Sequence, residues 1–275
     1  MYSETLSLVI DPAKCNACGA CISECVNMVL TRDPANGRVV IAENGADRCI
    51  HCAHCMMVCP PGALSIDGID PDSCEKITPG ADFQSLLANV KKRRSVRHFK
   101  NRNVEDEVMA DLLDALRYPP TGVNFRNLRF TVITDRTIME KYRTKFYDAC
   151  FALMGKDPET KKQADLWREM IRKGGDPVFR TAPHLILVNY KEDAPCGLPD
   201  AVIALSYFEM LANAAEVGTV WFGRLIMLFR QYPELMEMFR IAPGYQPGYA
   251  MLFGYAANLF RRSVKRDLPE ISILD

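Results

Sequence analysis

The chain has 275 residues, 48% of them hydrophobic and 25% charged, the balance of an ordinary globular protein. Its longest apolar runs, such as Ala201–Leu205, fall far short of the roughly 20 residues a membrane helix needs, and no basic-then-apolar leader precedes the first cysteine. Neither a membrane span nor export is therefore predicted, and a cytoplasmic protein is expected. Net charge is zero, but residues 1–80 carry 10 acids against 5 bases, leaving +5 for the remainder. An acidic front and a basic back predict two functional halves, with an anionic ligand in the second; no nucleic-acid partner is expected.

Eight of the 11 cysteines fall in two runs, Cys15, Cys18, Cys21, Cys25 and Cys49, Cys52, Cys55, Cys59, the second followed by Pro60. The runs repeat at an offset of 34 residues. Each is preceded by a short alternating segment, Leu6–Ile10 or Arg38–Ile41, and followed by another, Met28–Leu30 or Ala63–Ile66. The pattern predicts strand, cysteine loop with short helix, and strand, made twice. A clustered set of this kind in a chain without an export signal reads as metal ligation, not as disulfides. Zinc usually takes two separated pairs, whereas C-x2-C-x2-C-x3-C wraps three thiolates around one cluster and aims the fourth at another. His51 and His54 lie inside the second run. With four cysteines present neither is needed as a ligand, and both are expected to tune the site by charge and hydrogen bonding or to lie on the surface.

This spacing resembles the bacterial two-cluster ferredoxins over residues 1–78. The resemblance implies two [4Fe–4S] clusters, one held by Cys15, Cys18, Cys21 and Cys59 and the other by Cys49, Cys52, Cys55 and Cys25. Val26 stands where that family places a proline, a departure that removes no ligand.

Asp70–Ser73 through Pro79-Gly80 reads as a turn-rich linker. A helix starts near Asp82, with Phe83, Leu86, Leu87 and Val90 on one face, and runs into Lys91-Lys92-Arg93-Arg94-Ser95-Val96-Arg97. Taken alone such a block is either a solvated helix end, the favoured reading, or a nucleic-acid patch, and the serine between arginines offers a third role, a phosphate cradle of guanidinium and hydroxyl groups. A helix over Val104–Arg117 comes next, then Pro119-Pro120-Thr121-Gly122-Val123-Asn124-Phe125-Arg126-Asn127-Leu128-Arg129-Phe130 leading into a strand at Phe130–Thr134. Ala182–Val188 reads as a buried strand in which His184 is structural. A long apolar helix from Asp200 to Val217 ends in Gly218-Thr219-Val220-Trp221-Phe222-Gly223. Leu252-Phe253-Gly254-Tyr255 precedes Arg261, Arg262, Lys265 and Arg266.

Four of these stretches, in order over residues 83–275, are similar to the R-R-S-x-R-x-F, A-P-S-x-x-N-x-Q-P-W-x-F, G-L-G-T-x-W-x-G and G-Y-P motifs of the FMN-dependent nitroreductase family. The resemblance implies an α+β fold throughout, with a ferredoxin-like module at 1–80 and an FMN-binding domain at 81–275 whose antiparallel-rich sheet is flanked by helices. It implies a homodimer, built by the long central helices, with FMN at the interface. Arg93, Ser95 and Arg97 would hold the phosphate and ribityl chain with one or two of Arg261, Arg262, Lys265 and Arg266. Arg94 and Trp221 belong to the same cofactor-binding set. Asn124 would bond the flavin edge, backbone at Pro120 and Thr121 would come from the partner, and backbone at Gly223 and Arg224 would face flavin N5. Arg126 replaces the usual amide. It either reaches the flavin's pyrimidine edge, stabilising the reduced anion, or is a surface arginine paired with an acid. Trp167, Met170 and Ile171 share a helix face that either contacts substrate or packs. Gly174–Pro177 is a turn, and Cys74, Cys150 and Cys196 are free thiols.

No nucleophile–base set or carboxylate pair stands out, so no catalytic side chain is assigned. The expected function is a reductase that passes electrons from the clusters through FMN to a small organic acceptor such as a nitro compound, quinone or enone. NAD(P)H or an external ferredoxin would be the donor. The rival is an electron-transfer module that docks onto a larger redox complex. Oxidative flavin chemistry fits oxygen-labile clusters poorly.

Overall fold

The computed structural model describes residues 5–155 and 158–274. They divide into two units, Met1–Gly80 with Val123–Phe125, and Ala81–Gly122 with Arg126–Asp275.

In the first unit two antiparallel pairs frame two short helices. Strand β1 (Leu8–Ile10) pairs with β4 (Leu64–Ile66), and β2 (Leu30–Arg32) pairs with β3 (Val39–Ile41). Helices α1 (Ala20–Glu24) and α2 (His54–Met57) follow the cysteine loops. Strands β1, β3 and β4 are shorter than the alternating segments predict, and β2 begins two residues later than its segment. The repeat is written into the backbone: Ala17 and His51, Gly19 and Ala53, and Met28 and Gly62 all have positive φ, each pair 34 residues apart. Left-handed residues costly for side chains recur where the chain must curl its N–H groups inward, as in the concavities that bind anions and iron–sulfur groups. The apolar interior is small, comprising Cys21, Leu30, Val39, Met56, Leu64 and Ile66. Arg48 braces it by donating to the carbonyls of Asn27 at 3.0 Å and Met28 at 2.8 Å.

The second unit is built on a four-stranded antiparallel sheet in the order β5 (Arg129–Ile133), β6 (His184–Lys191), β8 (Tyr245–Tyr255), β7 (Val217–Trp221). The central strand β6 is buried on both faces, so it reads as a continuous apolar run instead of an alternation. Ile186 and Val188 face one core with Met251 and Phe253, covered by Ala201, Leu205, Phe208 and Ala212 of α7 (Gly197–Ala214). Leu185 and Leu187 face the other, shared with residues of α5 (Arg136–Leu153), α6 (Pro158–Arg172) and α8 (Gly223–Gln231). Helix α3 (Phe83–Lys92) is capped by Asp82, whose carboxylate accepts from the N–H groups of Gln84 and Ser85. Phe83, Leu86 and Val90 on its apolar face are exposed.

Two expected helices have other ends than predicted, the first being shorter and the second, of equal length, beginning and ending three residues earlier. The first is α4 (Asp106–Asp114), shortened because Val104 is buried with its N–H donated to His184 Nε2 at 3.0 Å and Ala115–Arg117 tightens into a 3-10 turn. The second, α7, stops at Ala214; Glu216 takes positive φ and Val217 already belongs to β7. His184 is fully buried and uses its ring to satisfy that buried N–H. Among the described residues, no helix is long and apolar enough to cross a membrane.

Candidate cofactor sites

The eight clustered cysteines lie in the first unit, ranging from buried Cys21 to exposed Cys18. Burial pushes the Cys21 thiol up, and Cys59 and Cys15 add to it. Burial likewise pushes Cys49 up, with Cys52, Asp67 and Cys25 contributing, and pushes Cys55 up to about 12, with Cys49, Cys52 and Cys25 contributing. The thiols that act on one another therefore include one set with Cys15, Cys21 and Cys59, and another with Cys25, Cys49, Cys52 and Cys55. Backbone N–H groups point at sulfur in a repeating pattern: Val29 donates to Cys25 Sγ at 3.4 Å and Ala63 to Cys59 Sγ at 3.3 Å, again 34 residues apart, and His51 donates to Cys49 Sγ at 3.4 Å. Such donors favour thiolate over thiol and tune a cluster's potential. Among the described residues no group of His, Cys, Asp or Glu is arranged around a single metal ion. The donor set, all sulfur and lined by N–H groups in an apolar shell, fits iron–sulfur ligation. His51 Nδ1 lies 2.7 Å from Asp67 Oδ2, and His54 Nδ1 lies 3.1 Å from Glu24 Oε1. Both rings are thus engaged with carboxylates.

In the second unit the basic block runs beside β7. Ser95 bridges to Thr219, and the Val96 N–H donates to the Thr219 carbonyl at 2.8 Å. Gly218 permits this approach, since a Cβ there would lie 2.4 Å from Val96 Cγ2. Ser95 and Arg97 line a cleft of about 220 Å³ with Asn258 and Phe260. Lys91, Lys92, Arg261 and Arg262 line another of about 300 Å³. The basic block and the tail are therefore brought together, while Arg266 lies farther along the exposed tail. Arg94 Nη1 donates to the carbonyls of Lys91 and Arg93. Gly223 opens α8 where a Cβ would come within 2.6 Å of Tyr249 Oη; exposed Arg224 follows in the first turn, where leading N–H groups have no intrahelical acceptor. Cations, hydroxyl, a glycine-lined approach and a helix N-terminus are the groups a flavin phosphate and ring require.

The 120–126 segment is strained. Val123, Asn124 and Arg126 all have positive φ, a real cost for β-branched valine. Pro120 is exposed, and Thr121 Oγ1 accepts from the Arg126 N–H at 3.0 Å. The Asn124 amide, grouped with the first unit, donates to the carbonyls of Ile50 at 2.9 Å and His51 at 3.0 Å. Arg126 Nη2 donates to the Arg117 carbonyl at 2.6 Å, so its partner is a backbone oxygen and not the acid of a surface ion pair. Trp167 is buried in the core, which favours its packing role, while Met170 is partly exposed.

Two buried acids escaped the sequence reading. Asp200 accepts the Gly122 N–H at 2.9 Å. Glu209 Oε1 accepts from Thr219 Oγ1 at 2.9 Å and Arg93 Nη1 at 3.3 Å, while Oε2 accepts from the Trp221 indole at 3.1 Å. The available signal was two acids in an otherwise apolar helix, each of which must find donors when buried.

Together, a thiol-rich unit suited to iron–sulfur ligation and an antiparallel α+β unit with a basic, glycine-lined edge define a two-part protein of the redox-cofactor-binding class. Residues 90–255 match the nitroreductase family model and residues 14–63 the 4Fe-4S dicluster domain model. The chain belongs to the nitroreductase family and carries a 4Fe-4S dicluster domain ahead of it. It is 40% identical over 73 residues to the NADH-dependent phenylglyoxylate dehydrogenase subunit beta of Aromatoleum evansii, covering 22% of this chain and 16% of that one. It is 25% identical over 145 residues to the iodotyrosine deiodinase of Thermotoga neapolitana, covering 50% and 73%. The chain thus spans about a sixth of the dehydrogenase subunit's length. Its fold is similar to a Bacteroides fragilis nitroreductase solved with bound FMN, with TM-score 0.56 and 18% identity, covering 69% of this chain and 98% of that one.

Proposed function

We propose that the chain is a reductase that delivers electrons, through two [4Fe–4S] clusters at residues 1–80 and an FMN at residues 81–275, to a small organic acceptor such as a nitro compound, quinone or enone. The observation that carries the reading is the presence in one chain of an eight-cysteine repeat and a nitroreductase domain. Clusters carry single electrons and FMN one or two, so the two cofactors supply the redox chemistry. The protein's part is to hold and orient them. Cys15, Cys18, Cys21 and Cys59 would ligate one cluster, and Cys25, Cys49, Cys52 and Cys55 the other, in line with the two thiol sets. Arg93, Ser95 and Arg97, with Arg262 or Arg266, would bind the flavin phosphate. Gly223 and Arg224 would offer N–H groups to the ring, and Thr121 and Arg126 would border its site. The exposed apolar residues of α3, with Leu268, Ile271 and Leu274 of the tail, support a homodimer that covers them and completes the FMN site.

Anaerobic purification tests this by iron and flavin content per chain and by mass; about eight irons and one FMN are expected from eight cysteines and one phosphate cradle. A zinc-loaded, flavin-free monomer would overturn it. Mixing with NADH, NADPH or reduced ferredoxin and watching flavin and cluster absorbance identifies the donor; reduced ferredoxin is expected to bleach both.

A second reading, a module docking onto a larger redox complex, is favoured by the likeness of the cysteine region to part of a dehydrogenase subunit. Single-turnover oxidation by small acceptors separates the two. If every acceptor fails while a protein partner reoxidises the reduced chain, the reductase reading falls.

A further inference from the structure

Among the buried ionisable groups of the second unit, Glu209 has no place in the proposed chemistry, yet both its oxygens are committed. It projects from the middle of α7 with a side chain only 9% exposed. Oε1 takes the Arg93 guanidinium and the Thr219 hydroxyl, and Oε2 takes the Trp221 indole. One carboxylate therefore fastens the basic block to the strand leading into Gly223. Arg93 keeps 28% of its side chain exposed, and its contact with Glu209 is through Nη1. A guanidinium has five N–H donors in a fixed fork, so holding one nitrogen aims the others.

We propose that Glu209 is a positioning residue for the flavin phosphate, acting through Arg93. This rests on the reading above that Arg93 holds that phosphate. A free arginine side chain samples many rotamers, and each must be given up when it closes on an anion. Glu209 makes that selection before the ligand arrives. Glutamine cannot replace it cleanly. All three partners are donors, and an amide offers one oxygen and one NH₂ group, so at least one donor faces another and is left unpaired. The substitution Glu209→Asp would keep the charge but hold the carboxylate one methylene farther from its partners.

The experiment uses the full-length, flavin-stripped protein and measures dissociation constants for FMN and riboflavin by quenching of flavin fluorescence. Riboflavin has the same ring and ribityl chain but no phosphate. A residue that merely stabilises the fold weakens both, whereas one that aims Arg93 changes the ratio. For Glu209→Gln, FMN affinity is expected to fall roughly tenfold to a hundredfold, the scale of one charge-assisted hydrogen bond, with riboflavin affinity within about twofold of the parent. Glu209→Asp should show the same selective loss to a smaller extent, and it decides the matter if Glu209→Gln does not fold. Equal weakening of both ligands, or no change in either, overturns the proposal. Arg93→Ala separates the two levels. If it leaves the preference for FMN over riboflavin intact, the assignment of Arg93 to the phosphate is wrong. If it abolishes that preference while the Glu209 variants keep it, only the role of Glu209 is wrong.

Discussion

The two units are held together by different means. The second has two large apolar cores, one on each face of a sheet whose central strand exposes almost nothing. The first buries six residues in its core cluster, one of them a cysteine, and places partly buried Cys15, Cys49, Cys55 and Cys59 against it. An interior that small stabilises a domain poorly, and the usual remedy is a structural metal or disulfides. In the first unit the candidate ligand cysteines are part of the core, whereas the second closes its cores with apolar side chains alone.

The largest expected effect follows directly. Stripping iron anaerobically with a chelator should abolish hydrogen-exchange protection throughout residues 5–80, while β6 and β8 stay protected, because cluster binding is folding energy only where the core is small. Equal survival of both units would remove the contrast. In the opposite direction, Phe253→Ala empties a fully buried position beside Phe208 and His184 and should cost about 3–5 kcal/mol in the second unit. Thermal unfolding should register that loss with iron content unchanged.

His184 sharpens the contrast through pH. Burial holds its ring at about 4, below the ordinary 6.5, so the folded state keeps it neutral. Its contribution is complete above pH 6.5 and is lost as pH falls toward 4, since the unfolded chain takes the proton first; the total is up to about 3 kcal/mol. His184→Gln keeps an acceptor for the Val104 N–H without titrating, and should flatten the stability of the second unit across that window. An unchanged slope would show that other groups carry it.

The smallest effect probes the repeat. Gly19 and Ala53 occupy equivalent left-handed positions, but only glycine does so without strain. Ala53→Gly should raise the stability of the cluster-loaded first unit, read from its chemical-denaturation midpoint, by about 1 kcal/mol, and Gly19→Ala should lower it by a similar amount. Gly19→Ala would also push a Cβ to within 2.6 Å of Arg32 Nη2, a flexible end able to yield.

Much of the fold was legible because its signals are local. Cysteine spacing foretold both loops and the following helices, and the run Ala182–Val188 foretold a buried strand. The ends of α4 and α7 were not legible, since Val104 leaves the helix to reach His184, 80 residues away, and Val217 joins a strand paired with Tyr255. In the candidate site, the basic block, Gly223 and the tail could be named from motifs. The left-handed backbone of Val123 could not, because nothing in a valine announces positive φ.

By itself the sequence determined the chemistry available: eight thiols at a repeating spacing, a run of cations around a serine, and a glycine before a helix. These depend on residue type and separation along the chain, and both are written linearly. Only the tertiary structure decided which groups act on one another. It buried Glu209 against Arg93, 116 residues distant, and brought the His184 ring to the Val104 N–H. Such pairings arise because a buried acid must find donors wherever the packed chain delivers them, and sequence distance has no bearing on that search.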